Sequence, residues 1–391
     1  MINNARDKTI VIYGLSTEGY EIAKRILQHH TKVIIIDENS KLGLSLTNKI
    51  VKEFPSITSL IEEEPLLNLE PFDKSINNAP IIFFAPRIRK INYEVKNDII
   101  PKFKEIISNL KSNTSIVFNI PLGIGGNTEI ISLIEHLSGY NMETEIYYYY
   151  NPINKNRSDK IILGRFQQKE DQYFNNIINL IYHKNVYELK TVNISSAEIL
   201  YTINIVKRYS NLSSINEIAK LTKIQEIKIE VFQNDINSIY LDEIVDGLFD
   251  LRILSLSLTN SSALGYVVNG TIRSIEGFIK SLVDELRLQL KEREIKASRT
   301  KVTIFWTIDK NEIRGDKILM RELLKSKMTD YIAEVEIQDI ENFVPNIITN
   351  IIIVCSSEDH KKALLKINKN HHHNHKIIII SANTFFNTIE I

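Results

Sequence analysis

Residues 8–38, KTIVIYGLSTEGYEIAKRILQHHTKVIIIDE, decide the fold of the first part of the chain. The apolar run 8–13 predicts a buried strand, residues 20–30 have apolar side chains at helical spacing, and residues 32–38 predict a second strand. Strand, turn, helix and strand in this order are typical of the first half of a dinucleotide-binding domain. The turn GLSTEG matches the fingerprint G-x-G-x-x-G at Gly14 and Gly19, with Ser16 in the middle position.

This turn predicts a site for a dinucleotide. Backbone amides at the start of the helix, from Thr17 to Gly19, would face the phosphates. Asp37, 23 residues after Gly14, would accept hydrogen bonds from the ribose hydroxyls and would repel a 2′-phosphate, so we expect NAD rather than NADP. The predicted cofactor-binding residues are those of the turn, this acid and a proline that ends a later strand: Gly14, Leu15, Ser16, Thr17, Glu18, Gly19, Asp37 and Pro86. The alternative is a Rossmann half that holds no nucleotide, because the Ser16 side chain occupies space that the fingerprint leaves empty.

Further strands and helices alternate along the next part of the chain. Apolar runs at 79–86, 115–121 and 160–164 predict strands, and helical patterns lie between them. This alternation indicates a parallel, doubly wound sheet. The tyrosine run 147–150 predicts another strand, in which packing within the sheet is favoured over a platform for stacking bases. Arg87 and Arg89, which follow Pro86, are interpreted as solvated, with contact to a phosphate as the alternative.

Residues 195–223, SSAEILYTINIVKRYSNLSSINEIAKLTK, contain no Gly or Pro and predict one long helix. Ser195 and Glu198 match a capping box. Apolar residues recur at every third position, which drifts about 60° per step around the helix. Different faces should therefore be buried at different heights, as in a helix that joins two domains or two subunits. We predict a homodimer through this helix; the alternative is a core helix of one helical domain.

The chain after residue 300 returns to alternating strands and helices, which predicts a second, smaller α/β domain. The predicted fold class is therefore α/β, with an N-terminal Rossmann-like parallel sheet, a central helical domain with one long helix, and a C-terminal smaller Rossmann-like domain. We place the domains at 1–190, an NAD-binding Rossmann-like domain, at 191–297, a helical middle domain for dimerisation, and at 298–391.

Composition narrows the classes of partner. Lys plus Arg equals Asp plus Glu at 48 each, so no net charge favours nucleic acid or an anionic membrane. No apolar run is long enough to span a bilayer, and the N-terminus enters a strand without a signal peptide, so we expect a cytoplasmic protein. The single cysteine, Cys355, excludes an internal disulfide, and at a strand end it is interpreted as a core residue. The segment from His371 to His375 is interpreted as a loop rather than a metal site.

Several motifs together resemble the nucleotide-sugar dehydrogenases, the UDP-glucose and GDP-mannose dehydrogenase family. The long helix begins with Ala197-Glu198 and carries Asn216-Glu217, which resembles the central helix of that family. NTEIISLIEHLSGYNMETEIYYYYNP is similar to the family stretch from a Gly-Thr-Thr-Glu turn to Asn-Pro-Glu, and TIDKNEIRGDK resembles the opening of its third domain. The order of domains matches along nearly the whole chain. The resemblance implies a third domain that binds a nucleotide sugar, with Arg314 as a substrate-binding residue.

The same resemblance implies two hydride transfers from C6 of a nucleotide sugar to NAD, through a thiohemiacetal on a cysteine, ending in a uronate. This sequence departs from the family at each reactive position. Tyr201 stands in place of the lysine, Ile205 in place of the asparagine with Asn204 adjacent, and Ile153 in place of the glutamate. Phe118-Asn119-Ile120 replaces Ser-Thr-Val, and the glycine-rich cysteine segment is reduced to DGLFDLRIL, with Gly247 and Asp250.

Two functions follow from these departures. The first is a relative that kept the scaffold, lost the oxidation and acts as a partner or regulator, because several groups are missing at once. The second is an active NAD-dependent oxidoreductase on the CH-OH group of a nucleotide sugar, with a rearranged site that needs no thiolate. No catalytic residue is predicted.

Overall fold

The computed structural model describes residues 9–29, 31–90, 94–153, 160–167, 171–182, 188–224, 239–259, 261–338, 349–369 and 377–390. The strands are β1 Ile10–Tyr13, β2 Val33–Asp37, β3 Leu42–Leu46, β4 Leu69–Pro71, β5 Ile81–Phe84, β6 Thr114–Phe118, β7 Ile146–Tyr150, β8 Lys160–Arg165, β9 Glu188–Asn193, β10 Thr300–Phe305, β11 Glu334–Ile337, β12 Thr349–Val354, β13 Ile377–Ser381 and β14 Thr388–Glu390.

The α-helices are α1 Thr17–Leu27, α2 Asn48–Glu53, α3 Ile57–Glu63, α4 Phe72–Asn77, α5 Glu94–Ile107, α6 Gly126–Ser138, α7 Gln172–Ile181, α8 Ile194–Ile224, α9 Leu241–Val245, α10 Leu248–Ser257, α11 Ala263–Glu292, α12 Asp316–Thr329 and α13 Glu358–Lys369. A 3₁₀ helix spans Ala297–Arg299. No helix among these residues is both long and apolar enough to cross a membrane. Residues 225–236, whose sequence predicts a helix, and the segment from His371 to His375, which is interpreted as a loop, lie outside the described residues.

The described chain forms two compact units. One unit contains the residues up to Asn204 together with Ile253–Thr259 and Asp309–Gly315, and the other contains Ile205–Arg252, Asn260–Ile308 and Asp316–Ile391. The predicted fold class is confirmed: a large sheet, a helical middle region and a smaller sheet. The limits of the three predicted domains, 1–190, 191–297 and 298–391, remain a prediction.

The sheet of the first unit has the strand order β4-β3-β2-β1-β5-β6-β7-β8-β9. Strands β2, β1, β5, β6 and β7 pair in parallel, and antiparallel pairing begins at β3 on one side and at β8 on the other. The central strands are buried along their whole length, as expected for a parallel sheet covered on both faces. The order reverses at β1, so the crevice between the carboxyl ends of β1 and β5 is the place where ligands bind in such sheets.

The structure confirms the prediction for the tyrosine run, and it shows elements in the segment 40–75 that the sequence does not predict. Tyr147 to Tyr150 are all buried in β7, so packing within the sheet is confirmed. Residues 40–75 are charged and interrupted by proline, and their sequence predicts no element, yet they form β3, β4 and the short helices α2, α3 and α4. Elements this short carry little periodic signal in the sequence.

The long helix is confirmed as α8, although its details differ from the prediction. Asn193, rather than Ser195, caps it, because the Asn193 side chain accepts a hydrogen bond from the Ser196 amide at 2.8 Å. The described buried side chains lie on one face: Ile194, Ala197, Glu198, Thr202, Ile205, Tyr209, Asn216 and Ala219. Some apolar residues at steps of three, such as Tyr209, lie on this face, whereas Ile203, Ile218 and Leu221 are exposed within the single chain.

The second unit is built on a sheet of order β11-β10-β12-β13-β14, parallel except for the last pair. Its core contains Phe305, Ile352, Val354, Leu364 and Ile379. The predicted smaller α/β domain is therefore confirmed as an α/β sheet. The second long helix, α11, starts at Ala263 after the cap residue Ser262.

Candidate dinucleotide turn and its neighbours

The turn after β1 brings the backbones of two strand ends into contact. Gly14 has φ +122°, and a Cβ atom at this position would lie 2.3 Å from the Ala85 oxygen and 2.4 Å from Cα of Pro86. Only glycine combines this conformation with this close approach. Gly14 and Pro86, both predicted as cofactor-binding residues, are thus brought together at the crevice between β1 and β5.

Ser16 is part of the structure of the turn. Its buried hydroxyl donates to the Ala85 carbonyl at 2.6 Å and accepts from the Gly19 amide at 3.1 Å. It is therefore the N-cap of α1, which explains why the middle glycine of the fingerprint is replaced here. The Gly19 amide, which was predicted to face a phosphate, is bonded to this side chain instead.

The acid that reaches the turn is Glu38 and not the predicted Asp37. Asp37 accepts hydrogen bonds from the Asn39 and Ser40 amides and so closes the local turn after β2. Glu38 is buried and accepts from the Leu15 amide at 2.8 Å and from Nε of Arg87 at 2.8 Å. Both acids also contact the Arg87 guanidinium, so they differ in the backbone amides that they accept from.

The prediction that Arg87 and Arg89 are solvated is wrong, because both side chains bond to groups of the protein. Arg87 forms ion pairs with Glu38 and Asp37. The Arg89 guanidinium donates to the carbonyls of Lys310 and Glu312, at 2.6 and 2.9 Å. Burial, and the neighbouring charge of Arg87, lower the pKa of Arg89. These contacts could not be predicted from local sequence patterns, because the partners Lys310 and Glu312 lie more than 200 residues from Arg89.

Residues 309–315, which we call the strap, lie on the first unit against the start of α1. The Thr17 amide donates to the Asn311 carbonyl at 2.9 Å, and the Thr17 hydroxyl donates to Asp309. Glu18, a buried residue of the turn, accepts from the Ile313 amide at 2.8 Å. The strap thus occupies hydrogen-bonding groups of the turn that sequence analysis had assigned to a cofactor.

The turn as described does not fit the pyrophosphate of NAD. The amides of Leu15, Thr17 and Gly19 all donate to acceptors of the protein. Carboxylates of Glu18 and Glu38 lie on the turn, where a dinucleotide needs positive groups or free donors.

The carboxyl ends of β6 and β7 carry the positions that the family resemblance assigns to reacting groups. Asn119 and Asn151 are buried there, and the Asn119 side chain donates to the Asn151 carbonyl at 2.9 Å. Arg314, predicted to bind substrate, donates to the Ile153 carbonyl at 2.6 Å and to the Tyr201 hydroxyl at 3.1 Å. The structure therefore brings Ile153, Tyr201 and Arg314 together, while the buried Ile205 and the exposed Asn204 lie further along α8.

Glu198, a buried acid in a motif shared with the family, accepts hydrogen bonds from the start of another helix. It is buried on α8 and accepts from the Gly125 amide and from both the amide and the side chain of Asn127. These donors belong to the start of α6, whose cap residue Gly125 has no side chain to supply an acceptor. The Ala-Glu motif is therefore explained by capping of another helix.

Cys355 and Gly247 belong to the second unit. Burial and the charge of Asp242 raise the pKa of the fully buried Cys355 thiol, which disfavours the thiolate that a nucleophile requires. At Gly247, a Cβ atom would come within 2.0 Å of the Tyr209 ring, so this glycine serves close packing. Asp250 is buried. Among the described residues, no group of three His, Cys, Asp or Glu residues is placed to hold a metal ion.

No protein-family model matches the sequence, and no curated protein matches it. Solved structures do match its fold. The UDP-D-ManNAc dehydrogenase of Pyrococcus horikoshii has a TM-score of 0.69 at 12% identity, covering 97% of this chain and 96% of that chain. The UDP-glucose dehydrogenase of Pyrobaculum islandicum has a TM-score of 0.63 at 12% identity, covering 98% and 96%. The UDP-N-acetyl-mannosamine dehydrogenase of Staphylococcus aureus has a TM-score of 0.58 at 14% identity, covering 89% and 88%.

The chain is thus a two-sheet α/β protein with a Rossmann-type N-terminal sheet. More narrowly, it has the fold of the nucleotide-sugar dehydrogenases over nearly its whole length. The resemblance predicted from the sequence is confirmed at this level. The low identities establish the fold alone.

Proposed function

We propose that this chain has the scaffold of a nucleotide-sugar dehydrogenase, has lost the two-step oxidation to a uronate, and acts as a partner or regulator. One observation carries the proposal. At the carboxyl ends of β6 and β7, Ile153 contributes backbone groups alone: its amide donates to the Asn119 carbonyl, and its carbonyl accepts from Arg314. An aliphatic side chain cannot activate water, and a carbonyl cannot transfer a proton.

The missing nucleophile supports the same conclusion. Oxidation of an alcohol to an acid requires that the aldehyde be held, and a thiolate does this as a covalent adduct. Cys355, the sole cysteine, is fully buried in the second unit, and burial raises the pKa of its thiol. It therefore offers neither access nor the reactive ionisation state.

A second candidate function is an active NAD-dependent oxidoreductase on the CH-OH group of a nucleotide sugar. The contact between the Tyr201 hydroxyl and Arg314 favours it, because a guanidinium stabilises the phenolate form of tyrosine, and a phenolate can accept the proton of an alcohol. Such an enzyme would carry out one two-electron oxidation and would need no cysteine. If a dinucleotide binds, Asp37 and Glu38 favour NAD over NADP, since their carboxylates repel a 2′-phosphate.

An activity assay separates these functions. We expect no steady formation of NADH when the pure protein is incubated with NAD and a panel of UDP- and GDP-sugars. Loss of a single stabilising group typically lowers the rate about 10²–10³-fold, and several are absent here. An active nucleotide-sugar dehydrogenase run in parallel is the control. Steady turnover on any sugar, abolished by Tyr201→Phe, would establish the second function instead.

We infer a homodimer that uses α8, which four exposed apolar side chains on this helix support: Ile199, Ile203, Ile218 and Leu221. Light scattering should give twice the chain mass of 45.2 kDa. The double variant Ile203→Glu/Leu221→Glu should be a monomer, because burial of a charged side chain in an apolar interface is unfavourable. Leu66→Glu, a change of an exposed leucine away from α8, is the matched control and should remain dimeric. A monomeric wild type at micromolar concentration contradicts this inference.

A further inference from the structure

We propose that the strap, residues 309–315, is an internal substitute for the dinucleotide phosphates and closes the turn after β1 until it is released. The inference rests on the proposed function in one respect, since it treats the turn as that of a dinucleotide scaffold without oxidation. The ligand of the turn would be a dinucleotide such as NAD, and the strap that controls its binding is a segment of the same chain.

The first support is competition for backbone donors. An anion at a helix start is bound by the free amides of the first turn. Here the Thr17 amide donates to the Asn311 carbonyl at 2.9 Å, and the Leu15 amide donates to Glu38 at 2.8 Å. An amide hydrogen serves one well-aligned acceptor at a time. A phosphate can therefore bind these amides only after Asn311 and Glu38 have moved.

The second support is charge. The strap places Asp309 on the Thr17 hydroxyl, at 2.5 Å between the oxygen atoms, and Glu18 accepts from the strap amide of Ile313. Glu38, which is paired with Arg87, accepts from the Leu15 amide, so three carboxylates bond to groups of the turn and the strap. These groups already interact favourably with the positive end of the helix. A pyrophosphate in the same place would be repelled by them.

The third support is the way in which the strap is held. The Arg89 guanidinium donates to the carbonyls of Lys310, Glu312 and Ile313, at 2.6, 2.9 and 3.3 Å. The Ile88 amide donates to the same Ile313 carbonyl at 2.8 Å. One side chain thus bonds to three of the seven peptide carbonyls of the strap. Removal of Arg89 should release the strap while β5 and α1 stay folded.

Calorimetric titration with NAD and hydrogen exchange on the full chain test the proposal. Wild type should give no heat of binding with millimolar NAD, and peptides that cover residues 14–20 and 309–315 should exchange slowly. Arg89→Met should speed exchange in both peptides and raise the affinity for NAD about tenfold or more. Glu38→Gln/Asp309→Asn, which removes two charges and keeps the shapes, should also gain binding.

Two controls match these variants. Arg25→Met removes another arginine that donates to a backbone carbonyl, that of Ile181, and Glu62→Gln/Glu63→Gln removes two exposed charges from α3. Neither control should change NAD binding or exchange of the strap. If Arg89→Met does not fold, the proposal is still tested by NAD binding to Glu38→Gln/Asp309→Asn and to the wild type.

Three results would overturn the proposal. One is micromolar binding of NAD to wild type with unchanged exchange of residues 309–315. Another is faster exchange in Arg89→Met without any gain in NAD binding, and the third is unchanged exchange in that variant. Binding without turnover overturns the strap and leaves the proposed function intact, whereas turnover on a nucleotide sugar overturns both.

Discussion

Gly14→Ala is expected to lower the free energy of unfolding by about 3 kcal/mol or more, without any ligand present. Two penalties combine at this position. The φ of +122° is unfavourable for alanine, and the new Cβ would lie 2.3 Å from the Ala85 oxygen. The clash is with backbone, so β1 and β5 would have to separate at their carboxyl ends. Urea unfolding followed by circular dichroism measures the change.

Gly270→Ala is the matched control, because it makes the same chemical change on a helix. Gly270 lies within α11, and a Cβ atom there would meet no neighbouring atom within 4 Å. Alanine should stabilise this helix by about 0.5–1 kcal/mol. An unfolding midpoint for Gly14→Ala within error of wild type would show that the described turn is wrong.

The sequence predicted the part of this turn that is local. Residues 8–38 contain the strand, turn, helix and second strand that the structure shows as β1, α1 and β2. The signal is strong because buried strands and amphipathic helices leave different periods in the sequence. The long helix and the smaller α/β unit were predicted for the same reason.

The partners of the turn could not be predicted, because they are remote in the chain. Thr17 and Asp309 are separated by 292 positions, and Glu18 and Ile313 by 295. The choice between Asp37 and Glu38 depends on the register at the end of β2, and the fingerprint does not define it. Ser16 was noted as a departure, but its role as N-cap of α1 became clear only from the bond to Gly19.

The step-of-three pattern on α8 shows a different limit of sequence analysis. An apolar residue is predicted to be buried, but the surface that buries it can belong to a second molecule. That surface is then absent from a single chain. Tyr209 and Ala219 are buried within the chain, whereas Ile203 and Leu221 are exposed. Sequence alone could not distinguish the face buried by the chain itself from a face available to a second copy.

Glu198→Ala is expected to lower the free energy of unfolding on the order of 3–5 kcal/mol. The buried Glu198 carboxylate accepts from the Gly125 amide at 2.9 Å, from the Asn127 amide at 3.0 Å and from Asn127 Nδ2 at 2.7 Å. Alanine would leave these donors without an acceptor in a buried position. The Asn127 side chain also accepts from the Tyr148 hydroxyl at 2.6 Å, so loss of its anchor extends to β7.

Glu129→Ala is the control for this change, since Glu129 is an acid in the first turn of the same helix α6. Its side chain is 64% exposed and pairs with Lys96 on the surface, so its removal should cost about 0.5 kcal/mol or less. Glu198→Gln keeps one acceptor oxygen and should fall between the two. Burial raises the pKa of Tyr148, which keeps its hydroxyl protonated as a donor to Asn127 in all three variants. Equal unfolding midpoints for Glu198→Ala and Glu129→Ala would contradict capping of α6 by Glu198 and would return this acid to the candidates for chemistry.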